Sequence, residues 1–172
     1  MLFLLVTACQ KEGDELPLTE EQLVGSWWKE ERVQIDELDA SGGLIGTVVM
    51  DADAPSSVMD GAQVGGLSYY FDADFCGSYV RLSYPASSEL NRIHEYATHA
   101  YRINERSRQL TIGNQIYDVD HFSKNEMILR HSYSSSGSRY VVKTWCKRIY
   151  PSESWSDMVV RWNAENQSYR PH

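Results

Sequence analysis

An all-β fold, a barrel or sandwich of eight or nine strands, is what this chain of 172 residues predicts. Three observations carry that prediction. The aromatic content is five Trp, eleven Tyr and four Phe, and such residues fit a pleated, half-buried surface better than a helix. Short apolar or alternating runs recur along most of the chain, at the spacing of consecutive strands. Turn chemistry punctuates them, most clearly Ser41-Gly42-Gly43 and the two-residue hairpin signal Gly113-Asn114.

Taken in order, Thr19-Glu20-Glu21-Gln22 places a capping residue three positions before Gln, which predicts a short helix. Strands are expected over 27–35, 44–50, 67–71, 78–84, 93–103, 109–112, 115–119, 126–133 and 139–150. Beyond Pro151, Ser152 can cap a second helix carrying Trp155, Met158, Val159 and Trp162. Those four stand at i, i+3, i+4 and i+7, one apolar stripe that is expected to pack on the outside of the sheet rather than serve a partner. Residues 51–66 form the one long loop, with Pro55 and three glycines. Loops of that length are uncommon, and the two readings are a lid over a barrel mouth or a surface insertion.

Composition excludes several functions. Lys plus Arg is 16 against 24 for Asp plus Glu, a net charge of −8. That balance repels a phosphate backbone, so nucleic acid is not an expected partner. No apolar run approaches the roughly 18 residues of a membrane-spanning helix.

The start of the chain points to export. Residues 2–6 are apolar, and Val6-Thr7-Ala8-Cys9 resembles a bacterial lipobox, in which the Cys is acylated on sulfur and becomes the new N-terminus. Residues 1–8 are then the tail of a truncated lipoprotein signal peptide, and 9–18 an acidic tether ahead of a body spanning 19–150 and a C-terminal helix and tail over 151–172. The tether, Gln10-Lys11-Glu12-Gly13-Asp14-Glu15 and then Pro17, is polar and charged. It resembles the Lys-plus-acidic signal that carries some lipoproteins to the cell surface. Gln10 stands where an Asp would retain a lipoprotein at the inner membrane. The expected location is the outer membrane, with exposure at the cell surface, and the expected partner is the bilayer, through acylated Cys9.

The body resembles the lipocalin-like lipoproteins of Gram-negative bacteria. Leu23-Val24-Gly25-Ser26-Trp27 is a helix running into a G-x-W strand, and Tyr70-Phe71-Asp72-Ala73-Asp74, Tyr101-Arg102-Ile103, Leu110-Thr111-Ile112, Tyr117 and Met127-Ile128-Leu129 follow in order, with a last strand ending in Lys147-Arg148. The resemblance implies a small up-and-down barrel of about eight strands that can enclose one small ligand. It also implies that the Arg of the closing strand lies over the Trp of the first, so Trp27 and Arg148 are the expected closure pair. Alternation places Lys29, Glu31, Val33 and Ile35 on the face of Trp27, and Val142 and Thr144 on that of Arg148. Lys29, Glu31, Val33, Val142 and Thr144 are therefore the expected lumen lining. A partly polar lumen suits an amphipathic ligand, entering at the mouth opposite Trp27.

Other constellations fall short of chemistry. His94 and His99 stand five apart, whereas a zinc-binding helix needs four, and in a strand they face opposite sides. Asp72 with Asp74, and Asp118 with Asp120, read as turn and rim carboxylates. Asp51-Ala52-Asp53-Ala54-Pro55 lacks a calcium loop's ligand at Pro55 and the glycine after it. Cys76 and Cys146 remain once Cys9 is assigned to lipid, a pair that could form a disulfide in an oxidising compartment or stay as free thiols. No metal, cofactor or catalytic residue is assigned. The sequence predicts a monomeric, non-catalytic module for a small amphipathic ligand. The alternative is a tethered interaction protein with a filled barrel, meeting a protein or glycan through its loops or C-terminal helix.

Overall fold

The computed structural model describes residues 15–52, 58–59, 62–64, 66–83 and 92–168, with 58–59, 62–64, 83 and 92 described by backbone alone. Cys9 with its lipobox, and half of the 51–66 loop, lie outside the described residues.

The helix α1 (Glu20–Leu23) leads into β1 (Trp27–Leu38), which forms a hairpin with β2 (Leu44–Asp51). Two short strands, β3 (Val58–Met59) and β4 (Ala62–Val64), pair with each other, and β4 also pairs with β6. Then come β5 (Ser68–Phe71), β6 (Cys76–Ser83), β7 (Arg92–His99), β8 (Tyr101–Asn104), β9 (Gln109–Ile112), β10 (Gln115–Phe122), β11 (Glu126–Ser135), β12 (Ser138–Ile149) and α2 (Trp155–Ser168).

All ladders are antiparallel. The order β6-β5-β1-β12-β11-β10-β9-β8 is continuous, and β7 pairs with β6. β7 and β8 are separated by Ala100 alone, so one bent strand joins β6 to β9 and closes the ring. Counting that strand once, eight strands make the ring, the antiparallel up-and-down barrel expected. The twelve-stranded sheet exceeds the nine expected strands because 93–103 breaks at Ala100, and because β3 and β4 form within the stretch 51–66 expected as a loop.

The 51–66 excursion leaves and rejoins β1 at one place. Ala52 N donates to Glu31 O at 2.9 Å, and Glu30 N donates to Leu67 O at 2.9 Å. Thus β2 and β5 occupy successive stretches of the same edge of β1. A Cβ on Gly66 would stand 2.7 Å from Glu30 O and 3.0 Å from Ala52 Cβ, so only glycine fits the return.

Two apolar clusters hold the molecule. Inside the barrel, Leu18, Leu23, Trp28, Phe71, Cys76, Leu110, Phe122, Met127 and Leu129 pack together. Outside, Trp27, Trp155, Met158 and Trp162 pack with Tyr70, Tyr79 and Tyr96, so the α2 stripe covers the outer wall as expected. The α2 cap is Ser154, not Ser152: its Oγ accepts from Asp157 N at 3.2 Å and donates to Asp157 Oδ2 at 2.7 Å. At α1, Thr19 occupies the N-cap position but its side chain makes no capping bond.

Candidate functional site

The inner wall is fixed by register, because residues paired directly across an antiparallel ladder share a face. Trp28 pairs with Arg148, Glu30 with Cys146, Val33 with Thr144, Ile35 with Val142, and Glu37 with Tyr140. Across the next ladder Met127, Leu129, His131 and Tyr133 follow Cys146, Thr144, Val142 and Tyr140. Between Glu30 and Arg32 the β1 register shifts. This β-bulge resets the alternation, so Trp28 and Glu30 point inward on one side of it and Val33 and Ile35 on the other.

That bulge corrects the expected lining. Val33, Thr144 and Val142 lie on the inner face by register. Lys29 and Glu31 do not: Lys29 pairs with outward Lys147, and the Glu31 carboxylate is 3.5 Å from Lys147 Nζ on the outer wall. Trp27 is likewise outside, its ring 4.9 Å from Tyr70 and 5.6 Å from Trp155. The closure contact belongs to the next residue, with Arg148 Cζ 5.7 Å from the Trp28 ring. Trp28 Nε1 donates to Ser26 Oγ at 2.8 Å, and Ser26 Oγ donates in turn to Leu23 O. Leu16 N donates to Phe122 O at 2.8 Å, so the segment before β1, with Leu18 and Leu23 in the interior cluster, plugs this end.

Away from the plug the inner face opens. Along β11 and β12, exposure is 1% at Leu129, 5% at Thr144 and 8% at Val142, then 47% at Tyr133. On β2, which continues the wall there, Val48 is 56% exposed. The barrel is therefore half filled: a solid apolar base under an open cup.

A polar cluster lies inside. Tyr69 OH donates to Glu30 Oε1 at 3.2 Å. Burial pushes the Glu30 carboxyl up to about 7, against the opposing pull of the Tyr69 hydroxyl and the Leu67 backbone. Tyr69 is raised well above its ordinary value, by burial first and by the Glu30 charge second. Tyr117 is raised by burial, opposed by a hydrogen bond with Tyr69. The Tyr117 and His131 rings meet edge to face at 5.3 Å. Burial lowers His131, and its Nδ1 is buried without a hydrogen-bond partner. Glu30, Tyr69, Tyr117 and His131 are among the inner polar residues that sequence reasoning missed.

Cys76 and Cys146 are both buried free thiols, not a disulfide. Burial pushes Cys76 up to about 12 and Cys146 well above its ordinary value, so neither is a ready nucleophile. Asp118 and Asp120 lie on the outer wall, Asp118 bound to Arg130 and Asp120 to Arg130 and Lys143. His94 faces α2, with its Nε2 bonded to Glu165 Oε2 at 2.6 Å. His99 is bonded to Ser78 Oγ at 3.0 Å, on the opposite face of β7.

The chain matches no protein-family model and no curated protein. Among solved structures it is similar to insecticyanin from the tobacco hornworm Manduca sexta, at 11% identity and a TM-score of 0.43, over 93% of this chain and 79% of that one. It is also similar to the odorant-binding protein OBP1, at 11% identity and a TM-score of 0.40, over 90% of each chain. A complex of bovine odorant-binding protein with undecanal gives 9% identity and a TM-score of 0.36, over 94% of this chain and 100% of that one. Likeness at this level has no bearing on ligand or activity, and the barrel assignment rests on the strand ladders.

Proposed function

We propose that this protein is a non-catalytic, lipocalin-like binding module that holds a small amphipathic ligand in the open half of its barrel. The observation that carries the reading is the exposure gradient on the inner face, from buried Leu129 and Thr144 to exposed Tyr133 and Val48. Apolar walls with a few convergent polar groups are what small-molecule sites present, and here Glu30, Tyr69 and Tyr117 supply those groups. The opposite end is plugged by the segment before β1, so a ligand enters past the rim formed by the β1–β2 and β11–β12 hairpins.

The anchoring belongs to the same proposal. Acylation of Cys9 would hold the module at the outer membrane, on its cell-surface side, with 9–18 as the spacer. Cys9→Ser is expected to move the protein from the membrane to the soluble fraction. A variant still in the membrane fraction after a high-salt wash would refute the anchor. For the cup, native mass spectrometry of protein purified without detergent is expected to show a bound small molecule that denaturation releases. Protein at its bare mass, unable to take up added dodecan-1-ol, would remove the ligand reading and leave a tethered interaction protein.

A further inference from the structure

The charges on the inner wall are one-sided. Glu30 stands near the floor, bonded by the Tyr69 hydroxyl. Glu37 stands at the rim, where it accepts from Ser138 Oγ at 2.7 Å and Tyr140 OH at 3.2 Å. Glu95 occupies an inner position on β7, opposite Val80, because its neighbours His94 and Tyr96 face α2. Among the described residues the Lys and Arg on inner register positions are Arg148 and Arg108, both at the plugged end, Arg148 with Trp28 and Arg108 opposite Val119 with its guanidinium on Glu15. Lys29, Arg32, Arg130, Lys143 and Lys147 all fall on outward register positions. Among the described residues the charged side chains that face the cup above that end are thus carboxylates, in a chain with sixteen Lys and Arg.

Aromatic rings connect floor to rim. Tyr117 meets His131 at 5.3 Å, His131 stacks on Tyr133 at 6.4 Å, and Tyr133 stacks on Tyr140 at 5.0 Å. Ring faces attract cations, the more so where water is excluded. An anionic head group would stand in a low-dielectric space among carboxylates, with no cation to meet it. An ammonium group would meet a carboxylate at the floor and π faces along the wall, and the rim acids would steer it inward.

We propose that the cup selects amphipathic organic amines, binding one protonated amino group against the Glu30 carboxylate and the apolar body along the aromatic wall. The proposal rests on the ligand-binding reading above and adds the charge of the head group. Ionisation of Glu30 completes the ion pair, so affinity for an amine should rise with pH across the neutral range while the amine stays protonated.

The test is calorimetric titration of the whole protein with three probes of equal chain length, dodecylamine, dodecan-1-ol and dodecanoate, each below its micelle concentration. At pH 7.5 the amine is expected to bind at least tenfold more tightly than the carboxylate, with the alcohol between them. The amine should gain affinity from pH 6 to 8 and the alcohol should not. Glu30→Gln should reduce the amine to the level of the alcohol, and the wild-type series alone decides the matter if that variant does not fold. Equal binding of all three, or preference for dodecanoate, overturns the amine selectivity and leaves the ligand reading standing. No binding of any of the three overturns both.

Discussion

Trp28 and Arg148 are ladder partners on the inner face, with the guanidinium carbon 5.7 Å from the indole ring, while Trp27 points the other way onto Trp155. The adjacent tryptophans therefore do different work: one seats the first strand against the last, the other docks α2.

A double-mutant cycle separates the two roles. Trp28→Phe with Arg148→Lys should show a coupling of about 0.5–1 kcal/mol, the scale of a partly solvated cation–π contact. The same cycle with Trp27→Phe should couple within experimental error of zero. Coupling at Trp27 and none at Trp28 would reverse the assignment of faces.

Much of this was legible in the sequence, and the exceptions have physical causes. The ring strands could be read because their apolar positions alternate and their turns carry Gly, Asn and Ser. Alternation counted back from Val33 and Ile35 fails at Trp27, because the bulge between Glu30 and Arg32 uses one extra residue. The signal was present: Glu30-Glu31-Arg32 places a charge inside the barrel in either phase, and the extra residue leaves only Glu30 inside. The bend at Ala100 was hidden for another reason. Residues 93–103 read as one strand, and only the change of partner from β6 to β9 divides them. The site residues Tyr69, Tyr117 and His131 come from three separate strands, so no local motif could unite them.

Glu30 should make stability fall with rising pH. Its folded value, about 7, lies above the ordinary 4.5, so the folded state holds a proton that the unfolded chain releases. Stability from this group is fully present below pH 4.5 and is lost as pH rises through 7, by about 3 kcal/mol at most. Urea unfolding of wild type and Glu30→Gln at pH 5, 7 and 8 measures it. The variant should gain relative to wild type as pH rises, and parallel pH profiles would contradict the burial of the ionised carboxylate.

Gly77 gives α2 its seat. A Cβ there would stand 2.6 Å from the Trp155 ring. Gly77→Ala should cost about 1–3 kcal/mol, the scale of overpacking, and should loosen α2 while the barrel stays folded. Gly46→Ala is the control, since nothing lies within 4 Å of its Cβ position. Equal thermal midpoints for the two variants would place Trp155 elsewhere.

Asn166 holds the outer end of α2 by standing in for a strand. His94 N donates to Asn166 Oδ1 at 2.8 Å, and Asn166 Nδ2 donates to His94 O at 2.8 Å. Asn166→Ala removes both bonds and leaves two backbone groups of β7 to find water. Amide exchange at His94 should accelerate about tenfold or more, with little change at Cys146 in the ring. Unchanged exchange at His94 would show that the side-chain amide does not cover this edge.

The open half of the barrel, and not an outer surface, is the place proposed to receive a small molecule. Methyl NMR during titration with uncharged dodecan-1-ol tests it without reference to head-group charge. The methyl signals of Val33, Ile35 and Val142 on the inner wall should shift and saturate together, while Val49 and Val160, exposed on the outer surface, stay in place. Shifts confined to Val49 and Val160, with the inner methyls unmoved, would contradict the account.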